Sequence, residues 1–440
     1  MGKGKRRGVS FGTIFMLLLT AAVIAATALF IFAIAGEGLY EKTGDLLRTF
    51  SEQGLFDMSP QETAAPRTAQ ERNLPQEQAT PIPAFTAVAT PTPVPQAATF
   101  TLAAAGTVYA PKAIRQSVQE GTDQFDFEPV FAGLGDTLSG ADLAIATLET
   151  TTAGSEKGYG NYNTPTQLLD ALRSCGVDML SVATERALDK GVEGLRITQS
   201  ELSARSLACA GAQTDAGDAG LIGIGGVKVA VLAYTYGVSD EGREKTRAAD
   251  LAAVNLLDME RVTQDITRAR VNGANVVIVL PHWGTKNKQA TPDVLREQAR
   301  QMAQAGADVI LGTHPNVVLD TERLSVTRAD GLTYEAVVCY SLGSLLTDAR
   351  AKENTAGMVA HLSVTYDPVS RRTSLGPLAC TPVYIAQQRT DGGNAYRIVD
   401  TDNAQAVAAL SEGERQAAAE AAELVRSITG QAAREEEGQG

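Results

Sequence analysis

The stretch VVIVLPHWG, residues 276–284, decides the fold of this chain, because an uninterrupted apolar run ends directly in His282. A second stretch of the same kind, DVILGTHP at residues 308–315, leads into His314, and the chain has only one other histidine, His361. Short continuous apolar runs are typical of buried parallel strands. Since functional side chains of α/β proteins gather at the carboxyl ends of such strands, we expect His282 and His314 to lie close together.

The pattern around these two stretches predicts an α/β fold, because from Thr99 onward short apolar runs alternate with amphipathic stretches. The predicted strands are residues 102–105, 143–148, 179–183, 227–234, 276–280, 309–311, 336–340, 359–365 and 381–386. The predicted helices are residues 165–174, 192–206, 256–272 and 292–305. The composition of residues 404–434, rich in Ala, Glu and Arg, predicts a solvated helix in a C-terminal tail.

The N-terminal segment predicts a membrane anchor. A basic cluster that includes Lys3, Lys5 and Arg6 precedes residues 11–35, which are apolar and uncharged. About 20 apolar residues span a bilayer, and the basic flank is expected to stay in the cytoplasm. We therefore expect residues 1–10 to be a cytoplasmic tail, residues 11–35 a transmembrane signal anchor, and the remainder to be extracytoplasmic. A cleaved signal peptide is the alternative, although its apolar core would exceed the usual limit of roughly 15 residues.

The segment between the anchor and the α/β region predicts a linker. Residues 59–98 contain eight of the 17 prolines of the chain and are otherwise rich in Thr, Ala and Gln. Such a composition buries too little apolar surface to offset its ordering entropy, and proline keeps it extended. We therefore assign residues 36–98 to a juxtamembrane segment with a disordered, Pro/Thr-rich linker, residues 99–386 to one domain, and residues 387–440 to the tail.

Charge and cysteine usage exclude two classes of function. The net charge of −13, without a long basic cluster, argues against nucleic acid as a partner. The cysteines at positions 175, 209, 339 and 380 form no CxxC pair, so a structural zinc site has no support. Disulfides are permitted outside the membrane, but the sequence leaves their pairing open.

Three short motifs resemble those of a known family: HWG at residues 282–284, GTHP at residues 312–315 and YSLG at residues 340–343. They are similar to motifs of the CapA, or poly-γ-glutamate capsule synthesis, family, and the resemblance covers roughly residues 99–386. It implies a calcineurin-like metallophosphoesterase fold, a four-layer α/β/β/α sandwich. It also implies work beside membrane-bound polymer synthases in the synthesis, export or retention of a capsule or cell-surface polymer.

Several metal-binding positions of the family pattern are replaced in this chain. Thr107 replaces a bridging aspartate of the pattern, Thr147 replaces an asparagine, and Glu185-Arg186 replaces an asparagine–histidine pair. Lys286-Asn287 replaces a glutamate–tyrosine pair, Asn316 a histidine and Ser344 a last asparagine. A two-metal centre needs a bridging carboxylate together with imidazole and amide ligands, and a threonine hydroxyl does not replace the carboxylate. The resemblance therefore implies a degenerate metal site.

The retained residues leave two interpretations of the site open. Glu149, His282 and His314 are candidate ligands of a single divalent metal, which would need three converging ligands and an open position. Without metal, the two histidines would simply be hydrogen-bonded residues of an inherited pocket. Arg186 and Lys286 add positive charge there, which favours the capture of an anionic polymer or a phosphate group.

Three functional hypotheses follow. The first is a membrane-anchored, non-catalytic protein that binds an anionic cell-surface polymer or works within a membrane polymer-synthase complex. The second is a phosphoesterase or polymer hydrolase with a reduced, mononuclear metal site. The third is a scaffold of the cell envelope that docks other proteins.

Overall fold

The structure is a computed structural model that describes residues 96–213, 221–390 and 393–430. These residues belong to one compact unit, Thr90–Gly440. The predicted anchor at residues 11–35 and most of the predicted linker lie outside the described residues. Within the described ranges, no helix combines the length and the hydropathy needed to cross a bilayer.

Two β-sheets form the centre of the unit. Sheet 1 consists of β1 (Ala98–Val108), β4 (Leu143–Leu148), β5 (Met179–Ser181), β6 (Ala208–Ala210), β13 (Ser344–Leu346), β14 (Ala356–Asp367), β15 (Arg372–Leu375), β16 (Ala379–Thr390) and β17 (Gly393–Asp400). Its main order is β17-β16-β14-β1-β4-β5-β6, with β13 paired to β1 and β15 paired to β14. A separate small hairpin joins β2 (Gln119–Gly121) and β3 (Gln124–Phe125).

Sheet 2 consists of β7 (Ile222–Ile224), β8 (Val227–Thr235), β9 (Val276–His282), β10 (Val309–Leu311), β11 (Thr321–Thr327) and β12 (Thr333–Cys339), in the order β11-β12-β10-β9-β8-β7. Strands β8, β9, β10 and β12 are parallel to their neighbours within this group. The carboxyl ends of these four strands therefore lie at one edge of the sheet, and their amino ends lie at the opposite edge.

The helices of the described residues are α1 (Lys112–Ser117), α2 (Glu128–Phe131), α3 (Gln167–Ser174), α4 (Gly191–Ala204), α5 (Asp240–Lys245), α6 (Met259–Val271), α7 (Asp293–Ala305), α8 (Lys352–Thr355), α9 (Ala404–Ala408) and α10 (Glu412–Thr429). Four of them begin at a residue whose side chain accepts a hydrogen bond from the first turn, as Asp258 does from the amide of Arg261 at the start of α6.

Alternating residues of sheet 2 divide the core into two clusters. Val229, Ile278 and Val309 face a cluster that also contains residues of sheet 1, so the two sheets pack against each other. The intervening residues, such as Val277 and Ile310, face a second cluster formed with α6 and α7. Each strand of the centre is thus covered on both faces, which explains its continuous apolar run.

The mixed α/β, sheet-rich class predicted from the sequence is confirmed, and several predicted elements have the observed bounds, including the strands at residues 143–148 and 309–311. The C-terminal part differs from the expectation of a solvated helix. Strand β16 runs beyond residue 386 and β17 extends the same sheet. Helix α10 packs against β14 and β16 and buries Ala418, Ala421 and Val425, because small residues recur on one of its faces.

Candidate functional site

The candidate site lies at the carboxyl edge of both sheets. His282 is the last residue of β9, and His314 follows β10 after a bridge between His282 and Thr313. Glu185 lies in the loop after β5, so the chain brings it to the same edge. His314 has a φ of 96°, which non-glycine residues rarely adopt and which is typical of strained functional positions.

The two histidines converge on Glu185. His282 Nε2 lies 2.6 Å from Glu185 Oε2, and His282 Nδ1 lies 3.0 Å from the hydroxyl oxygen of Thr313. His314 Nδ1 lies 3.5 Å from the same Glu185 oxygen but makes no well-formed hydrogen bond within the described part of the chain. All three side chains are buried, and their ring centroids and carboxylate form one tight cluster. A buried nitrogen with only one long contact is unusual, and it leaves room for a ligand or a metal to complete its coordination.

Lys286 links Glu185 to a second buried carboxylate. Its Nζ lies 2.9 Å from Glu185 Oε1 and 3.1 Å from Glu149 Oε1. The other oxygen, Glu149 Oε2, is buried and has no hydrogen-bond partner among the described residues. The ammonium group of Lys286 is therefore the counterion that these two buried acids share.

Arg186 is held by an aromatic residue and an acid. Its guanidinium carbon lies 3.7 Å from the ring centroid of Tyr162, a cation–π contact, and NH1 lies 3.4 Å from Asp189 Oδ2. Asp189 also accepts a hydrogen bond from the hydroxyl of Ser239. The positive charges of Arg186 and Lys286 are thus matched by three nearby carboxylates, which lowers the attraction that either cation exerts on an external anion.

The pKa shifts follow from burial and from these contacts. Burial raises the pKa of Glu149 to about 8, with a further contribution from the charge of Glu185 and a partial offset from Lys286. Burial lowers the pKa of His282 to about 4, although the contact with Glu185 opposes this shift. Burial also works against ionisation of Glu185, yet its contacts with His282, His314 and Lys286 prevail and lower its pKa. At neutral pH, His282 is therefore a neutral imidazole that donates from Nε2 to an ionised Glu185.

A cavity of about 380 Å³ opens beside this cluster and is lined by Glu185, Arg186, Tyr236, Ser239 and Lys286, with three further residues at or just before the start of α5. The Tyr236 ring lies over His314 with centroids 4.4 Å apart, and half of the residue, 51%, is exposed to solvent. Tyr236 was not singled out from the sequence. Its signal was its position directly after β8, at the same edge as His282.

The set of residues that meet in the structure differs in one acid from the set predicted from the sequence. His282 and His314 are adjacent, as expected, with ring centroids 4.9 Å apart. The carboxylate that meets them is Glu185, whereas Glu149, the predicted third ligand, contacts Lys286. Arg186 and Lys286 both line the cavity, as the prediction of an anion site requires, but both are already paired with acids.

The residues present do not fit a two-metal centre. Thr107 stands at the end of β1, and its hydroxyl lies 3.2 Å from the carbonyl oxygen of Gly343 and 3.4 Å from the side-chain oxygen of Asn316. The bridging carboxylate that two cations require is therefore missing. In addition, the ammonium of Lys286 occupies the carboxylate oxygens of Glu149 and Glu185 that could otherwise bind a second cation.

A single divalent metal does fit the residues present. One ligand atom each from Glu185, His282 and His314 lies within 4.8 Å of the others, and all three residues are buried. Two imidazoles and one carboxylate are the ligands of many catalytic zinc sites. The unpartnered Nδ1 of His314 agrees with this assignment.

Comparison with known proteins supports the motif-based resemblance. Over 238 residues, the chain is 29% identical to the PGA biosynthesis protein CapA of Bacillus subtilis (strain 168). This alignment covers 52% of this chain and 58% of that protein. Over 189 residues, the chain is 24% identical to the capsule biosynthesis protein CapA of Bacillus anthracis. This alignment covers 41% of this chain and 43% of that protein. The alignments thus span less than two thirds of either relative.

Among solved structures, a novel phosphatase of Mycoplasma pneumoniae matches 65% of this chain and 94% of its own, with a TM-score of 0.37 and 11% identity. The sulfate thiohydrolase SoxB of Thermus thermophilus matches 64% of this chain and 42% of its own, with a TM-score of 0.32 and 14% identity. The family model of the bacterial capsule synthesis protein PGA_cap matches residues 101–349. Because this match covers more than half of the 440 residues, the chain belongs to the PGA_cap family of bacterial capsule synthesis proteins.

Proposed function

We propose that this chain is a membrane-anchored, extracytoplasmic protein that supports the synthesis, export or retention of an anionic capsule or cell-surface polymer without two-metal phosphoester chemistry. Membership of the capsule synthesis family supports the polymer role. The uncharged residues 11–35 behind a basic cluster support the anchor and the extracytoplasmic placement of the domain. We further propose that the two packed sheets with their helices form a four-layer, metallophosphatase-like sandwich.

The position of Lys286 is the observation that carries the non-catalytic part of the proposal. Its ammonium lies 2.9 Å from Glu185 and 3.1 Å from Glu149, so the chain supplies its own cation to a carboxylate pair. A fixed ammonium cannot acidify a water molecule or coordinate phosphoryl oxygens as a metal ion does. The ammonium therefore stabilises the buried acids of the site. A ligand would bind in the adjacent cavity without being hydrolysed.

The polymer partner is expected to be poly-γ-glutamate or a related polyanion. One relative is described as a PGA biosynthesis protein, and that description is the basis for this choice. Because Arg186 and Lys286 are matched by carboxylates, we expect the cavity to bind such a polymer weakly. The contribution to polymer assembly would then depend on a membrane polymer-synthase complex as partner. If the domain bound only such proteins and no polymer, its role would be that of a scaffold in the envelope.

Complementation tests the proposal. A strain that lacks this protein would be supplied with the wild type, with His282→Ala or with His314→Ala, and the polymer retained on the cells would be measured. We expect both variants to restore the polymer as the wild type does, provided that immunoblots show equal amounts of folded protein in the membrane. Loss of polymer with either folded variant would contradict a non-catalytic role.

The convergence of Glu185, His282 and His314 favours a second candidate function, a hydrolase with a mononuclear metal site. A divalent metal held by these residues would supply Lewis-acid chemistry for hydrolysis. As a neutral imidazole, His282 would bind a metal through one ring nitrogen by giving up the hydrogen bond of that nitrogen to Glu185 or Thr313, and the ionised Glu185 supplies the negative charge. Metal-dependent cleavage of a phosphoester or of the polymer by the full chain, abolished by Glu185→Gln but not by Lys288→Met, would establish this candidate.

A further inference from the structure

A second cavity, of about 560 Å³, lies at the opposite edge of the sheets from the candidate site. It is bounded by the C-terminal end of α6, by the turn between β11 and β12, and by the turn between β14 and β15; Arg270, Arg328 and Arg371 are among its lining residues. His282 ends β9 at the other edge, and the seven residues of this strand separate the two edges by roughly 20 Å. We call this cavity the amino-edge groove.

Exposed apolar side chains are concentrated around the amino-edge groove. Five large hydrophobic residues are exposed within the described ranges, and three of them flank the groove: Val271 at the end of α6, Leu332 in the β11–β12 turn and Val369 in the β14–β15 turn. They are 80%, 47% and 67% exposed, respectively. Single exposed apolar residues are common, but the grouping of three around one cavity makes this edge a candidate interaction surface.

Guanidinium groups accompany these apolar residues, although the chain as a whole carries a net charge of −13. Arg371, in the β14–β15 turn, and Arg372, the first residue of β15, are exposed, and no ion pair of Arg371 is found within the described residues. Arg372 lies over the ring of Tyr334, with its guanidinium carbon 4.8 Å from the ring centroid. The groove therefore presents two arginines to solvent beside its apolar turns.

The carboxylates near the groove are held by the fold. Asp308 is buried and is shared by Arg270 and Arg328. Asp330 accepts hydrogen bonds from the Tyr334 hydroxyl and the Leu332 amide. Asp367 accepts from the amides of Val369 and Ser370 within its own turn. Asp330 and Asp367 keep their negative charges, but neither forms an ion pair with Arg371 within the described residues, so this arginine is available to an external anion. Arg372 also donates a hydrogen bond to the carbonyl oxygen of Thr333.

The direction of the chain connects this edge to the N-terminal segment. Ala98, the first residue of β1, is paired with Tyr366, which lines the groove. The polypeptide that precedes β1 therefore joins the sheet at this edge. That polypeptide includes the uncharged apolar residues 11–35 and their basic flank.

We propose that the amino-edge groove and its two turns dock on the surface of a lipid bilayer that contains anionic headgroups. Apolar side chains at turn tips insert at the headgroup boundary, and arginines extend their charged ends toward the headgroups. This orientation directs the candidate site at the opposite edge away from the bilayer, where an emerging polymer or a partner protein can reach it. A polyanionic polymer in the groove is the competing occupant.

Site-specific fluorescence quenching tests the docking of the full chain on vesicles. Val369→Trp places a reporter at the groove, and Val294→Trp, exposed at the start of α7 on the opposite edge, is the matched control. The natural Trp283 is buried and gives a constant background. With brominated lipids in vesicles that contain anionic headgroups, we expect quenching of the reporter at position 369 and none at position 294.

Charge variants identify the headgroup contribution. Removal of each exposed arginine, in Arg371→Ala and Arg372→Ala made in the Val369→Trp background, should weaken the quenching response roughly five-fold in vesicle concentration. Arg300→Ala, an exposed position in the middle of α7, should leave it unchanged. Equal quenching at positions 369 and 294, or no quenching at either, would overturn the proposal. A response at position 369 to soluble polyglutamate but not to vesicles would also overturn it and would assign the groove to the polymer.

Discussion

Replacement of Lys286 by methionine removes the only ammonium that contacts both Glu149 and Glu185 within the described part of the chain. The two carboxylate side chains are 3% and 4% exposed, whereas the lysine is 34% exposed. Loss of one partner of a fully buried ion pair costs about 3–5 kcal/mol, and loss of an exposed pair costs at most about 1 kcal/mol. Because the lysine is only partly buried, we expect Lys286→Met to lower the free energy of unfolding by about 2–3 kcal/mol.

Thermal and urea unfolding at pH 7 measure this change. At about 2 °C per kcal/mol for a domain of this size, the midpoint should fall by about 4–6 °C. Lys288→Met is the matched control, since Lys288 is exposed and close in sequence, and it should change the midpoint little. The double variant Lys286→Met/Glu149→Gln should recover part of the loss, because burial raises the pKa of Glu149 to about 8 and so disfavours folding at pH 7, whereas glutamine does not titrate.

Two outcomes would refute this reasoning. If Lys286→Met were as stable as Lys288→Met, the ammonium would not be needed to offset the two buried acids. If the double variant were less stable than the single one, Glu149 would be held by an interaction other than the one with Lys286, and the charge balance described for the site would be wrong.

Three further predictions concern the same edge of the sheets. Burial raises the pKa of Glu149 from 4.5 to about 8, so the contribution of its protonated carboxyl group to folding stability is fully present below about pH 4.5 and is lost as pH rises through about 8. In unfolding experiments, Glu149→Gln should remove this part of the pH dependence. A single metal, if bound, should be lost from His314→Ala and retained by His361→Ala when dialysed protein is analysed by elemental mass spectrometry, since only the former removes a ligand. Gly106→Ala would place a Cβ 2.2 Å from the carbonyl oxygen of Gly343, and a loss of about 3 kcal/mol in unfolding free energy is expected; an unchanged midpoint would show that β1 can move there.

The positions of the two histidines were predictable because local sequence determines them. A continuous apolar run predicts a buried strand, and residues that end two parallel strands of one sheet lie at the same carboxyl edge. His282 and His314 therefore met as expected, with ring centroids 4.9 Å apart. The predicted α/β class followed from the same alternation of strands and helices along the chain.

The identity of the acid beside the histidines was not predictable in the same way. Glu149 and Glu185 both follow strands of sheet 1, but only Glu149 was predicted as a ligand. Which of them reaches His282 depends on the neighbouring strands β4 and β5 and on Lys286, a residue more than 100 positions away from either acid. Periodicity contains no information about such a contact. The C-terminal helix α10 was misjudged for a related reason, because its buried face is made of alanines, which hydropathy barely distinguishes from a solvated surface.

The replaced positions of the family pattern are physically coupled to one another. Two buried carboxylates at the edge of a sheet need a cation, and either a metal ion or an ammonium group supplies it. Lys286 supplies it here, and the loss of the bridging carboxylate at Thr107 removes the second metal position at the same time. An acid at position 107 alone would add a third buried acid at this edge without a matching cation. Two-metal chemistry at this edge would therefore require changes at both Lys286 and Thr107, because the first supplies the cation and the second lacks the bridging carboxylate.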